Sequence, residues 1–118
     1  MNFLIKLILS AIAVMLTSYL LPGVEVSDFF SALFFAALLA LLNATVKPLL
    51  IIFTLPLTVF TLGLFLLVIN AVVILMADDF IPGVEVDGFW WALIFSLILT
   101  IITSILERIS KDSRQRKD

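Results

Sequence analysis

Pro22-Gly23-Val24-Glu25-Val26 recurs verbatim as Pro82-Gly83-Val84-Glu85-Val86, sixty residues further along a chain of 118. The flanks keep the same offset: Phe29, Ala32 and Leu33 match Phe89, Ala92 and Leu93, and upstream Leu4, Leu7 and Ala11 match Leu64, Leu67 and Ala71. Identity at a fixed spacing marks an internal repeat, although Pro-Gly is also a turn solution that unrelated loops share. On the repeat reading, each unit is a helix, a short loop and a second helix.

The helices are transmembrane. Runs without a charge cover residues 7–24, 29–46, 49–77 and 89–106, and about 18 helical residues at ~1.5 Å each nearly cross a hydrocarbon core. The chain is 64% hydrophobic and 14% charged, against about 45–50% and 25% in soluble domains. The reading is an all-α integral membrane protein of four helices, two tandem parallel hairpins at an offset of sixty residues. Repeat one covers about 3–46, with spans at 3–22 and 28–46. Repeat two covers about 61–107, with spans at 59–78 and 88–107. The connection is 47–60 and a charged tail follows at 108–118.

Charge orients this bundle. Lys6, Lys47, Arg108, Lys111, Arg114, Arg116 and Lys117 fall at the start, the middle connection or the tail, which share one side in a four-helix arrangement. Glu25, Asp28, Asp78, Asp79, Glu85 and Asp87 fall around the two PGVEV segments, where there is no Lys or Arg. The positive-inside rule places both termini and Lys47 in the cytoplasm. Parallel repeats then relate by an axis along the membrane normal. Tyr19, Phe29, Phe30, Phe80, Phe89, Trp90 and Trp91 flank the acidic segments as an interfacial belt, with Trp90 and Trp91 read as anchors. Residues 1–21 have the outline of a secretory signal, but the Ala11–Ala13 pattern lies within the helix and Pro22-Gly23 follows, so retention is expected.

Residues 49–77 are too long for one untilted span. Pro48 and Pro56 are the evident breakers. The second helix is expected to bend or end near Lys47-Pro48, a hydrophobic piece to lie in or dip into the inner interface, and the third helix to begin near 56–61.

Because lipid solvates leucine as well as another helix does, small residues mark close helix contacts. Ala32, Ala36, Ala40 and Ala44 recur every fourth residue, and Ala92, Ser96, Thr100 and Ser104 occupy the matching places. The stripe reads as intramolecular packing, or as an oligomer seam or pore lining. Asn43 and Asn70 are amides at membrane depth, suited to structural bonding between helices or to function. Lys47 maps through the repeat onto Glu107; the two either snorkel to the interface or pair near the axis.

Cysteine and histidine are absent, which excludes disulfides, thiol nucleophiles, imidazole bases and Cys/His zinc sites. No phosphate loop, nucleophile elbow or paired intramembrane carboxylate is present. The chain therefore reads as no enzyme, with no cofactor, no metal, no nucleic-acid partner and no identifiable small-molecule substrate. Its partner is the lipid bilayer, with a homo-oligomer as a possibility. The acidic segments are read as a solvated rim before a Ca²⁺ or Mg²⁺ site, and the basic tail as a topology signal before a lipid-headgroup binder.

Asn43-Ala44, Lys47-Pro48, Thr54-Leu55-Pro56-Leu57-Thr58, Thr61-Leu62-Gly63, Asn70-Ala71, Pro82-Gly83 and Phe89 together resemble the phage-holin-like four-transmembrane family of small bacterial membrane proteins, over about residues 3–106. The resemblance implies a four-helix protein of the bacterial inner membrane and oligomers that open lesions in it. The alternatives are a small channel or carrier, for which the broken segment and parallel repeat are suggestive, and an accessory subunit of an envelope complex.

Overall fold

The structure, a computed structural model, describes the backbone of residues 2–116 and the side chains of residues 2–111. Lys117 and Asp118, at the end of the predicted cytoplasmic tail, lie outside the described residues. The element order is α1 (Phe3–Leu20), β1 (Val24–Val26), α2 (Phe29–Phe53), α3 (Leu55–Phe60), α4 (Phe65–Phe80), β2 (Val84–Val86) and α5 (Phe89–Arg116).

The repeated pentapeptides do more than turn the chain, which corrects the purely helical expectation. Val-Glu-Val alternates with the period of a strand, and the two copies pair antiparallel, Val24 opposite Val86, Glu25 opposite Glu85 and Val26 opposite Val84. Val24, Val84 and Val86 turn inward while both glutamates face out. Pairing satisfies backbone groups that a bare loop over an apolar bundle would leave without partners. The ladder is extended alike at both ends, Ser27 N–H donating to the Gly83 carbonyl and Asp87 N–H to the Gly23 carbonyl, each at 2.8 Å. The two donors, Ser27 and Asp87, and the two acceptors, Gly23 and Gly83, are each sixty residues apart in the chain.

Pairing of β1 with β2 brings the ends of α1 and α4 and the starts of α2 and α5 to one face, the strand end. The opposite face carries Lys6, Lys47, Arg108 and the α2–α4 connection, and is here called the basic end. Helix α1 packs on α2 and α5, and α4 packs on the same two, so the helices form a ring in the order α1, α2, α4, α5. Its walls are thin because Ala11, Ala13, Ala32, Ala71, Ala77 and Ala92 are fully buried, which lets backbones approach closely. In the middle, Phe35 of α2 and Phe95 of α5 meet edge to face with ring centroids 5.9 Å apart, both fully buried.

Asp28 begins α2, its carboxylate accepting from the Ser31 N–H at 2.8 Å. Hydrogen bonds from the backbone and then the hydroxyl of Ser31 hold the Asp28 carboxyl below its ordinary value. Helix α2 then runs through Pro48 to Phe53. Of the two expectations, that it bends or that it ends near Lys47-Pro48, the ending is corrected, and the physical reason is arithmetic. Pro48 forfeits one hydrogen bond, whereas ending the helix in hydrocarbon exposes several unsatisfied groups, each costing several kcal/mol on the order of a buried polar group.

The third long helix starts later than predicted, at Phe65. Pro56 does not break anything: it sits in the first turn of α3, where its missing N–H has no partner to lose. The break is Leu62-Gly63, whose φ values of 58° and 91° are both left-handed. Gly63 takes that conformation freely. Thr61 stitches the corner, its hydroxyl donating to the Leu57 carbonyl at 3.0 Å and accepting from the Phe65 N–H at 3.1 Å. Around this corner Phe53, Val59, Phe60, Leu62 and Leu64 are exposed, as a segment lying in an apolar boundary would be.

At the strand end Tyr19, Phe30, Phe80 and Trp90 are exposed, in keeping with an interfacial belt. Trp91 packs against the chain as well. It is half-buried and its indole lies against Gly23, so closely that a side chain there would overlap ring atoms Cγ, Cδ2 and Cε2.

Candidate functional site

The small-residue stripe divides along its length. Ala32, Ala36, Ala92 and Ser96, nearest the strand end, are buried in the ring. Ala40 is half-buried, and Ala44, Thr100 and Ser104 are exposed. Toward the basic end the stripe leaves the packed interior, and a cavity lies beside it there.

That cavity has a volume of about 420 Å³ and lies between three helices. Helix α1 contributes Lys6, Ser10 and Val14; α2 contributes Ala36, Leu39, Ala40, Asn43 and Ala44; α5 contributes Leu99 and Thr103. Each four-residue step along a helix moves about 6 Å in depth. Since α1 enters from the basic end and α2 and α5 return to it, Lys6, Asn43 and Thr103 stand at the mouth. Val14, Ala36 and Leu99 form the floor. Beyond the floor the ring is closed by Phe35 and Phe95.

Of the predicted intramembrane polar residues, Asn43 lines this cavity and Asn70 does not; Asn70 is half-buried on α4 between the buried Ile69 and Ala71. Lys47 and Glu107 are both half-buried near the basic end of α2 and α5. Ser10 and Thr103 have no place in the sequence reading, and Lys6 enters it only as a topology signal. Two signals point to them: Lys6, Ser10 and Val14 recur every fourth residue on one face of α1, and Thr103 is the residue sixty positions from Asn43.

At the strand end, Glu25, Asp78, Glu85 and Asp87 border a depression of about 430 Å³ with Pro22, Gly23 and Val86. Among the described residues, no group of three or more acids is arranged to hold a metal ion. Glu25 and Glu85 stand directly across the ladder, where like charges repel; their exposure to solvent relieves this.

Helices α1, α2 and α5 are each long and apolar enough to cross a membrane, and α4, with 16 residues, packs between α2 and α5. The fold is that of a polytopic helical membrane protein. More particularly, the chain belongs to the family described as mycobacterial four-transmembrane phage holin, superfamily IV, whose model matches residues 1–105. It is 33% identical over 105 residues to a Bacillus subtilis (strain 168) protein described as uncharacterized membrane protein YvlD, covering 88% of each chain. It is also 34% identical over 121 residues to uncharacterized protein SCO3922 of Streptomyces coelicolor, covering 94% of this chain and 97% of that one. No solved structure matches.

Proposed function

We propose that this is a non-catalytic, holin-like protein of the bacterial inner membrane that self-associates through the basic half of its small-residue stripe. The carrying observation is that Thr100 and Ser104 continue the stripe on α5 and are exposed, as is Ala44 at the rim of the cavity on α2, leaving small residues available for close approach by a second copy. The closed centre supports the same reading. With Phe35 and Phe95 filling the middle, a single ring offers no through-path, so permeabilisation requires several copies. A small channel or carrier ranks second for that reason.

The basic end faces the cytoplasm, carrying both termini. Two hairpin repeats related by a pseudo-twofold along the normal build the ring. Supporting this are the strand register, with Glu25 opposite Glu85, and the matched 2.8 Å bonds from Ser27 and Asp87.

The chain has no cysteine, so single introduced thiols report contact directly. Ala44→Cys is expected to give a cross-linked dimer in native membranes on mild oxidation, while the fully buried Ala32→Cys gives none. Monomer alone from Ala44→Cys and from Ser104→Cys contradicts self-association at this face.

A further inference from the structure

We infer that the cavity at the basic end is a site for one anionic phospholipid, its phosphate held at Lys6 and the beginning of an acyl chain on the apolar floor. The inference rests on the ring crossing a bilayer and not on self-association.

Three observations carry it. The first is size: about 420 Å³ falls within the ~300–1,000 Å³ range of ligand sites and is many times the ~30 Å³ share of one water. The second is the gradient of chemistry with depth. The mouth offers only groups able to donate to an anion: the Lys6 ammonium, the Asn43 amide and the Thr103 hydroxyl, with Ser10 one turn in. Among the described residues no carboxylate contributes to the lining, so none of the described wall residues neutralises Lys6. The floor of Val14, Ala36, Leu39 and Leu99 has no polar side chain. A free anion would satisfy the mouth and leave the floor in contact with water. A phospholipid from the adjoining leaflet satisfies both, and the surface potential of anionic lipids adds to the attraction of a cation at that depth.

The third observation is asymmetry. Sixty residues on from Lys6 stands Leu66, so the α4 side of the ring has no matching cation. The ring thus holds one such site per chain, which fixes the stoichiometry.

The test titrates the delipidated full-length protein in detergent with phosphatidylglycerol, phosphatidylcholine or inorganic phosphate, following bound lipid by native mass spectrometry. One phosphatidylglycerol per chain is expected, with weaker retention of phosphatidylcholine and no competition from millimolar phosphate. Lys6→Gln should weaken retention about fivefold or more, the loss of one cation near an anionic surface. Ala40→Phe, filling the cavity, should abolish it, while the exposed Lys111→Gln changes nothing. Should Ala40→Phe fail to insert, Lys6→Gln against Lys111→Gln still decides the matter, since both side chains are exposed. Equal loss from those two, unchanged binding to Lys6→Gln, retention in a folded Ala40→Phe, or full competition by inorganic phosphate each overturns the assignment.

Discussion

Alanine in place of Gly23 destabilises the bundle by about 1–3 kcal/mol, the range for forcing atoms into a filled space. The added Cβ overlaps the Trp91 indole at ring atoms near its backbone, so one partner must move. Gly23 immediately precedes β1 and is held by the bond from the Asp87 N–H to its carbonyl. Trp91 sits in the first turn of α5, one residue before the fully buried Ala92. Relief therefore pulls either the ladder or the start of α5 out of register. Thermal unfolding in detergent measures the effect. The control is the double variant Gly23→Ala with Trp91→Ala, which recovers much of the loss because it removes the ring that the methyl group strikes. Simple additivity of the two changes contradicts this packing.

Truncating Phe35 to alanine is the second large change, and its size follows from the solvent. In water the cost combines the transfer of the ring with the void left behind. In a bilayer the transfer part falls away, because the unfolded reference is solvated by lipid. The void part remains: about 24 cal/mol per Å³ over roughly 100 Å³ gives about 2–3 kcal/mol. A further ~1 kcal/mol comes from the edge-to-face contact with Phe95. The pairwise share is isolated by a cycle of Phe35→Ala, Phe95→Ala and the double variant, with coupling of about 1 kcal/mol expected. Coupling near zero contradicts a packed aromatic pair at the centre of the ring.

Much of the architecture is legible in the chain because lipid enforces simple rules. Charge-free runs give the helices, and the verbatim PGVEV repeat marks the two places where the chain reverses. The sequence pattern did not reveal that the two repeats meet each other. Three residues of Val-Glu-Val are too short a signal against long apolar helices, and pairing across sixty residues is a tertiary fact. Proline ends no helix at either place, for a different reason at each. In hydrocarbon the alternative to a proline within α2 is worse, and Pro56 falls where its missing donor costs nothing. The break belongs instead to Leu62-Gly63.

The site was partly legible. The stripe from Ala32 to Ala44 is visible as a period of four, but its division into a buried and an open half depends on tertiary packing along α2. Asn43 was visible as a costly amide. In the sequence Lys6 reads only as a topology signal, because its relation to Asn43 and Thr103 comes from three helices meeting.

The most direct measurement is membrane potential, followed with a voltage-sensitive dye during controlled expression in a bacterial host, with Ala44→Asp as the paired variant at equal membrane levels. The account predicts abrupt depolarisation once the protein accumulates, and its loss in the variant. Sustained polarisation at high levels of the unaltered protein, or equal depolarisation by Ala44→Asp, contradicts it.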